Sequence, residues 1–259
     1  MDWKSKNVLV TGGNGFLGSR LVKMLKEKHA KKIVIPDSKK CDLRHVDNCT
    51  FILQEIDIVF HLAAKVGGIG LNQSKPGELF YDNLMMGVNL MEEARKNKIE
   101  KFISLGTICS YPKFTPIPFK EDSIWDGYPE ETNAPYGLAK KMLLVQSQAY
   151  KQQYNFESIT VFPTNLFGQN DNFDEDSSHV IPAIIKKVLN AIQNNHDSIS
   201  LWGDGTPTRD FLYVDDAASG ILLAAEKYSD PEPLNLGSGI EISIKDLANL
   251  IIKTMNCYY

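Results

Sequence analysis

The chain has 259 residues, of which 43% are hydrophobic and 23% are charged, so it is long enough to bury a large core. Its formal net charge of −4 and its pI near 5.8 argue against a protein that neutralises a nucleic-acid backbone, because that binding needs a basic surface. We therefore expect no nucleic-acid partner, and any recognition of phosphate must be local.

Short apolar runs alternate with helical patterns along the first part of the chain. Residues 7–11 form a β-branched run before a glycine-rich turn, and Leu17, Leu21 and Leu25 then recur at helical spacing. Continuous apolar strands that alternate with helices are typical of a parallel sheet covered on both faces. Further strands are predicted at 33–35, 57–62, 101–105 and 158–162, and further helices at about 77–96 and 135–150.

The alternation loosens after residue 165 into polar stretches at 170–178, 194–198 and 202–208. We predict an α/β protein with a Rossmann-type doubly wound parallel sheet and a smaller, interleaved substrate lobe. Residues 1–165 form the predicted dinucleotide-binding domain, and 166–259 are mainly a substrate-binding lobe with returning Rossmann elements.

A glycine triad at 12, 15 and 18 separates the first strand from the first helix. This turn places a helix N-terminus, with unpaired N–H groups and partial positive charge, where a pyrophosphate would lie. A tight turn with close helix packing is the alternative interpretation. The predicted phosphate loop consists of Gly12, Gly13, Asn14, Gly15, Phe16, Leu17 and Gly18.

The second strand ends near Asp37, which is placed to accept hydrogen bonds from an adenosine ribose and thereby favours NAD(H). Lys39 and Lys40 follow at once and could neutralise the extra phosphate of NADP(H) instead. An ordinary polar turn is a third interpretation, so the residues alone leave the choice of cofactor open.

Tyr136 and Lys140 stand four residues apart on a predicted helix, so their side chains share one face. An ammonium beside a phenol is expected to lower the phenol's pKa from its usual value of about 10, which makes Tyr136 a candidate proton donor to a developing alkoxide. Thr107 ends the preceding strand, and its hydroxyl could hydrogen-bond the same carbonyl oxygen.

These features together resemble the extended short-chain dehydrogenase/reductase family over nearly the whole chain. The resemblance narrows to the GDP-L-fucose synthase family in four segments: HLAAKVGGI at 61–69, LGTICSYP at 105–112, PTNLFG at 163–168, and DNF at 171–173 with SHVIP at 178–182. It implies a homodimeric NAD(P)H-dependent epimerase/reductase of a nucleotide-activated 4-keto-6-deoxy-hexose, with GDP-4-keto-6-deoxy-mannose as the expected substrate and GDP-L-fucose as the product. The resemblance favours NADP(H).

The resemblance also implies roles for single residues. Cys109 and His179 match the family's acid–base pair, which inverts the carbons next to the sugar ketone, provided that the surroundings of Cys109 stabilise its thiolate. Tyr136 would then protonate the reduced ketone while Lys140 holds the nicotinamide ribose. Lys187, Trp202 and Arg209 match the family's contacts to the substrate diphosphate and base. Further expected cofactor contacts are Asp42, Leu43, Ala63, Ala64, Leu105, Gly106, Lys140, Pro163, Asn165, Leu166 and His179.

Each of these residues also has a structural interpretation. Cys109 could be a small core residue, and His179 an ordinary loop residue. Trp202 could pack in the core, and Lys187 could lie on a solvated helix face. Arg209 could form a salt bridge with Asp210, Asp215 or Asp216.

The sequence departs from the family pattern in two places. Thr107 stands where many members have serine, a change that keeps the hydroxyl, and the chain stops at Tyr259 where the family normally continues, so we expect a truncated substrate lobe. Two competing functions are a reductase or epimerase of another nucleotide keto-sugar and a catalytically silent NAD(P)-binding regulator. A sugar 4,6-dehydratase is disfavoured, because such enzymes place acidic residues where this chain has Ile108 and Cys109.

The cysteines and the N-terminus bear on the compartment. Cys41, Cys49, Cys109 and Cys257 show neither C-x-x-C spacing nor a partnered histidine, which predicts free thiols and no metal site. Residues 1–6 contain no signal-type stretch, and no apolar run approaches the ~20 residues that cross a bilayer. These features predict a cytoplasmic protein without a membrane partner.

Overall fold

The apolar runs of the first half form adjacent parallel strands. The computed structural model describes residues 1–174 and 178–256. The large sheet has six strands in the order β2-β1-β3-β4-β5-β8, and every neighbouring pair is parallel. These strands are β1 (Asn7–Thr11), β2 (Lys32–Val34), β3 (Ile58–His61), β4 (Lys101–Leu105), β5 (Ser158–Pro163) and β8 (Leu234–Leu236). The predicted Rossmann-type sheet is confirmed, and the five predicted strands lie within one residue of the observed bounds.

Helices cover both faces of this sheet because the strands are apolar on both sides. Val8 and Val10 pack with α1 (Phe16–Glu27) and α7 (Val214–Lys227) on one face. Leu9 packs on the other face in the same cluster as residues of α2 (Val46–Ile52), α4 (Pro76–Lys96) and α5 (Ala134–Tyr154). The two predicted long helices are confirmed, and α5 continues four residues beyond its predicted end, to Tyr154.

A smaller sheet and two helices follow β5. The strands β6 (Asn165–Phe167) and β7 (Thr208–Tyr213) are parallel, and β9 (Glu241–Ser243) runs antiparallel to β7. The helices α6 (Val180–Gln193) and α8 (Ile244–Asn256) pack together through Ile184, Val188 and Leu247. Since β8 returns to the large sheet between β7 and β9, the two sheets are interleaved along the chain.

Asp210 on β7 connects the two sheets. Its carboxylate accepts hydrogen bonds from the Thr164 hydroxyl at 3.2 Å and from the backbone N–H groups of Ser238 at 3.0 Å and Gly239 at 2.9 Å. Thr164 follows β5 and Ser238 follows β8, so the ends of two strands of the large sheet are fixed to the small one.

Within residues 1–174 and 178–256, no helix is both long enough and apolar enough to cross a membrane. In the same residues, His, Cys, Asp and Glu side chains form no group of three or more that could hold a metal ion. Cys41, Cys49 and Cys109 are free thiols, whereas Cys257 lies outside the described residues.

Candidate active site

A cleft of about 1390 Å³ lies between the carboxyl ends of the large-sheet strands and the small sheet. This volume exceeds that of a typical single-ligand pocket, roughly 300–1,000 Å³, so two ligands can occupy it side by side. All the predicted site residues line it except Gly13 and Leu43. A Cβ on Gly13 would lie 2.9 Å from the side chain of Ile35, and Leu43 is a buried core residue next to Cys49, which explains why neither reaches the cleft wall.

The glycine loop presents backbone rather than side chains to the cleft. Gly12 has φ +70°, and a Cβ there would lie 2.9 Å from the Ala63 nitrogen. A Cβ on Gly18 would lie 2.1 Å from the Gly12 carbonyl oxygen, so only glycine lets α1 approach the turn this closely. Gly15 precedes α1 and supplies no side-chain cap, which leaves the first N–H groups of the helix for an anion. The loop therefore fits a dinucleotide pyrophosphate.

The adenosine end of the cleft carries both acidic and basic groups. Asp37 lines it, whereas Lys39 and Lys40 are exposed and do not. Arg44 also lines it, but its guanidinium is held by Asp42, at 2.6 Å, and by Asp82, at 2.8 Å. Hydrogen bonds from Arg44 lower the pKa of Asp42 to about 2, so this pair is ionised at neutral pH.

A close approach of two helices assembles the reactive side chains. A Cβ on Gly137 would lie 2.2 Å from the Cys109 carbonyl oxygen, so glycine lets α5 contact the short 3-10 helix Ile108–Ser110. The Ser110 hydroxyl donates to the Gly137 carbonyl at 2.7 Å, and Thr107 caps the 3-10 helix by accepting from the Cys109 N–H at 3.3 Å. Tyr136, Cys109 and Thr107 therefore meet in one part of the cleft.

Burial decides the protonation of the Tyr136/Lys140 pair. It raises the pKa of Tyr136 above its ordinary value, and the thiolate form of Cys109 would raise it further, so the expected lowering by Lys140 is wrong. Lys140 is 2% exposed, and loss of water lowers its pKa to about 8. At neutral pH the pair is thus a neutral phenol beside an ammonium.

Cys109 and His179 reach the same cleft from different parts of the fold. Cys109 is half-buried after β4, and exposed His179 lies immediately before α6. Burial raises the pKa of the Cys109 thiol, and this outweighs the lowering by the Thr107 hydrogen bond and the Arg209 charge. The expectation of a stabilised thiolate is therefore not met.

Three exposed or half-buried side chains line the substrate end. Trp202 is 85% exposed, which excludes its packing in the core. Lys187 donates from Nζ to the Ser200 carbonyl at 2.7 Å, and Arg209 donates from Nη1 to the Thr208 carbonyl at 2.7 Å.

Arg209 forms none of the anticipated salt bridges, since no ion pair involves it within the described residues. Asp210 instead binds the groups that follow β5 and β8, and Asp215 lies 3.3 Å from Arg20. The Arg209 guanidinium is therefore available to an anionic ligand.

Several residues that hold or line the cleft wall could not be singled out from the sequence. The Asn83 side chain accepts from the Lys65 N–H at 3.0 Å and donates to the Lys65 carbonyl at 2.9 Å, which fixes the loop after β3 to α4. Arg44, Asn72 and Asn133 also line the cleft. Arg44 follows Asp42 at a distance of two residues, which is a usable signal, but nothing in the sequence pairs Asn83 with Lys65.

Comparisons with known proteins agree with this geometry. The sequence model of the NAD dependent epimerase/dehydratase family matches residues 8–237. The chain is 38% identical over 252 residues to GDP-L-fucose synthase of Sinorhizobium fredii, covering 96% of this chain and 80% of that one. It is 34% identical over 252 residues to GDP-L-colitose synthase of Yersinia pseudotuberculosis, covering 96% and 82%.

A solved structure gives the same result. The structure of a GDP-L-fucose synthetase from Naegleria fowleri bound to NADP superposes with a TM-score of 0.88 at 33% identity, covering 98% of this chain and 78% of that one. The matched residues include the glycine loop, the Tyr136/Lys140 helix and the strands of the large sheet. The chain therefore belongs to the NAD dependent epimerase/dehydratase family.

Proposed function

We propose that the protein is an NADPH-dependent epimerase/reductase that converts GDP-4-keto-6-deoxy-mannose to GDP-L-fucose. The observation that carries this proposal is that Cys109, Tyr136 and His179 line one cleft together with the phosphate loop. Relatives named GDP-L-fucose synthase or synthetase, at 38% and 33% identity, support the choice of substrate.

The ketone at carbon 4 makes the hydrogens on carbons 3 and 5 acidic, so inversion needs a base on one face of the sugar and an acid on the other. Cys109 is the proposed base and His179 the proposed acid. The Thr107 hydrogen bond and the Arg209 charge both favour the thiolate form of Cys109. A substrate diphosphate bound to Arg209 would weaken the second of these, so we assign the activation of Cys109 mainly to Thr107.

Reduction at carbon 4 uses Tyr136, Thr107 and Lys140. Residues 12–18 would hold the pyrophosphate of a dinucleotide, which when bound would supply the hydride. Tyr136 donates the proton to the developing alkoxide, a role for which a raised pKa is suitable because the phenol stays protonated until the oxyanion forms. Thr107 hydrogen-bonds the same oxygen, and Lys140 holds the nicotinamide ribose as an ammonium.

Preference for NADP(H) is part of the proposal. The Naegleria fowleri relative was solved with NADP, and Arg44, Lys39 and Lys40 put cationic groups on or beside the adenosine end. Asp37 opposes this preference, because a carboxylate repels a ribose phosphate. The ratio of kcat/KM for NADPH and NADH tests it: a ratio above one supports the preference, and a ratio below one contradicts it.

We further propose a homodimer that works in the cytoplasm. Exposed apolar side chains on neighbouring helices, Phe80 and Tyr81 on α4 and Val145 on α5, support a helical interface. Free thiols, including the proposed base Cys109, suit a reducing compartment. Sedimentation equilibrium tests the assembly, and fractionation of the source cells tests the compartment.

The decisive assay combines the purified protein with GDP-4-keto-6-deoxy-mannose and NADPH. We expect loss of the reduced nicotinamide absorbance and formation of GDP-L-fucose, identified by its chromatographic retention and fragmentation beside a standard. Unchanged absorbance with a structurally intact protein would contradict the proposed function.

The second candidate is an enzyme of the same class that acts on another nucleotide keto-sugar. The similarity to GDP-L-colitose synthase favours this alternative specifically. Solvent deuterium at carbons 3 and 5 of the recovered sugar, abolished by Cys109→Ser, supports the full epimerase/reductase. Reduction without deuterium incorporation would indicate a simple ketoreductase.

A further inference from the structure

His61 and Lys140 are brought together by the periodicities of a strand and a helix. Val59 and His61 point to the same face of β3, because side chains alternate along a strand. Leu143 of α5 packs on this face in one cluster with Val59 and Phe102. Lys140 precedes Leu143 by about one helical turn, toward the cleft, and therefore lies over the carboxyl end of β3, where His61 is.

His61 is fully buried and only half satisfied. Its Nδ1 lies 2.9 Å from the Thr11 hydroxyl, which also accepts from the Ala63 N–H at 3.2 Å. Its Nε2 is buried without a hydrogen-bond partner among the described residues, a costly state for a polar atom. Burial lowers the pKa of His61 to about 3, and the positive charge of Lys140 adds to this, so the imidazole is neutral.

Lys140 carries the complementary donor. The residue is 2% exposed and lines the cleft, and within residues 1–174 and 178–256 no carboxylate forms an ion pair with it. The titratable groups near Lys140 are Tyr136 and Cys109, which line the cleft with it, and the fully buried His61 on β3, which its charge affects. His61 is the one that offers an unused lone pair while it is neutral.

We propose that His61 is a positioning residue for Lys140, with Nδ1–H donating to Thr11 and the Nε2 lone pair accepting from the ammonium across one water molecule. This arrangement uses one of the three ammonium hydrogens and leaves the other two for the nicotinamide ribose and the neighbourhood of Tyr136. It also links the strand that begins the phosphate loop to the helix that carries the proton donor. The inference rests on the proposed function only for the role of Lys140 in catalysis.

Two variants of His61 separate this role from a merely structural one. In His61→Asn the side-chain amide reaches only the position of Nδ1, so the contact with Thr11 is kept and the acceptor toward Lys140 is lost. In His61→Gln the amide oxygen reaches the position of Nε2, so the acceptor is kept. Thermal unfolding and the Kd of NADPH confirm that each variant is folded and binds cofactor.

The primary readout is the pKa of Lys140, measured by NMR on protein with ¹³C-labelled lysine, with the signal assigned by its loss in Lys140→Arg. An acceptor stabilises the ammonium, so we expect His61→Asn to lower the pKa of Lys140 by about one unit, a tenfold change in the equilibrium, and His61→Gln to restore it. The same pair should lower and restore kcat for keto-sugar reduction while KM stays within about twofold, since the lost contact does not touch substrate.

An unchanged pKa of Lys140 in His61→Asn, or equal shifts in both variants, would overturn the proposal. If His61→Asn does not fold, ¹⁵N NMR of the unaltered protein decides: a proton on Nδ1 and a bare Nε2 support the proposal, and a proton on Nε2 overturns it. These NMR results do not depend on turnover. A protein that shows the predicted pKa shift but reduces no keto-sugar would therefore contradict the proposed function alone.

Discussion

The side of the cleft proposed to bind the cofactor and the side proposed to bind the substrate are built differently. The cofactor side is made of backbone at the ends of buried strands, where glycine positions 12 and 18 allow contacts that a Cβ would block. The substrate side is made of side chains on the small sheet, on α6 and on the loop between α6 and β7, where Trp202 is 85% exposed. The backbone fixes the shape of the first side, whereas the shape of the second depends on side chains that can move. Mutations on the cofactor side should therefore weaken NADPH binding, whereas mutations on the substrate side should raise KM for the GDP-sugar.

The largest effect is expected at the junction of the two sides. Tyr136→Phe removes the proposed proton donor, and we expect kcat for reduction to fall by about 10²–10⁴-fold, the usual contribution of a general acid, with the Kd of NADPH little changed. Deuterium exchange into the sugar should persist at a lower rate, because the enolate formed on the same oxygen loses the phenol but keeps the Thr107 hydroxyl as a donor. Tyr128→Phe, an exposed tyrosine outside the cleft, is the matched control. Normal reduction by Tyr136→Phe would remove Tyr136 from the mechanism.

The next effect tests the cofactor side alone. In Gly18→Ala the new methyl group meets the Gly12 carbonyl oxygen at 2.1 Å, so α1 must move away from the turn, at a cost of about 1–3 kcal/mol. We expect the affinity for NADPH, measured by fluorescence titration, to fall roughly a hundredfold, or about 2.7 kcal/mol. Gly77→Ala is the control, since a Cβ there meets nothing within 4 Å. Equal NADPH affinities in Gly18→Ala and Gly77→Ala would show that the close approach of α1 to the glycine turn does not affect cofactor binding.

The substrate side should respond in KM rather than in kcat. Trp202→Ala removes an exposed aromatic face, and base stacking on such a face is worth about 1–3 kcal/mol, so we expect KM for the GDP-sugar to rise roughly tenfold. The Kd of NADPH should not change. Trp125→Ala, a half-exposed tryptophan outside the cleft, serves as the comparison. An unaltered KM in Trp202→Ala would exclude stacking on this side chain.

The smallest expected effect is on pH dependence, where reduction and deuterium exchange should change in opposite directions. Burial lowers the pKa of Lys140 to about 8, so the ammonium is present below that pH and reduction should fall as pH rises through it. Burial raises the pKa of Cys109, so deuterium exchange, which needs the thiolate, should instead increase over the same range. Exchange is measured in Tyr136→Phe, where reduction does not interfere. Parallel profiles for both steps would contradict the separate assignment of Lys140 and Cys109.

Much of the fold follows from local pattern. Each strand from β1 to β5 is a continuous apolar run, and the long helices α4 and α5 have clear periodicity, so their positions could be predicted. The strands β6, β8 and β9 have three residues each and no alternation of their own, and they exist because neighbouring backbone pairs with them. Such pairing depends on tertiary contacts, which cannot be inferred from the local sequence pattern.

The candidate site divides in the same way. Position and spacing predicted that Thr107, Tyr136 and Lys140 lie at the cleft, and the resemblance to a known family predicted Cys109 and His179; all five residues line it. They did not predict protonation, because the pKa of Tyr136 depends on how much water the folded chain removes from it. The pairing of Arg44 with Asp82 was equally hidden, since Asp82 is distant in sequence.

The uncapped start of α1 has an evolutionary consequence. Anion recognition there depends on main-chain N–H groups, which every residue except proline carries, so substitutions at Asn14, Phe16 or Leu17 can accumulate without removing the donors. Side chains such as Trp202 and Arg209 have no such protection, and each replacement alters what they bind. A lineage built on this scaffold can therefore change its sugar nucleotide repeatedly while it keeps the same redox partner.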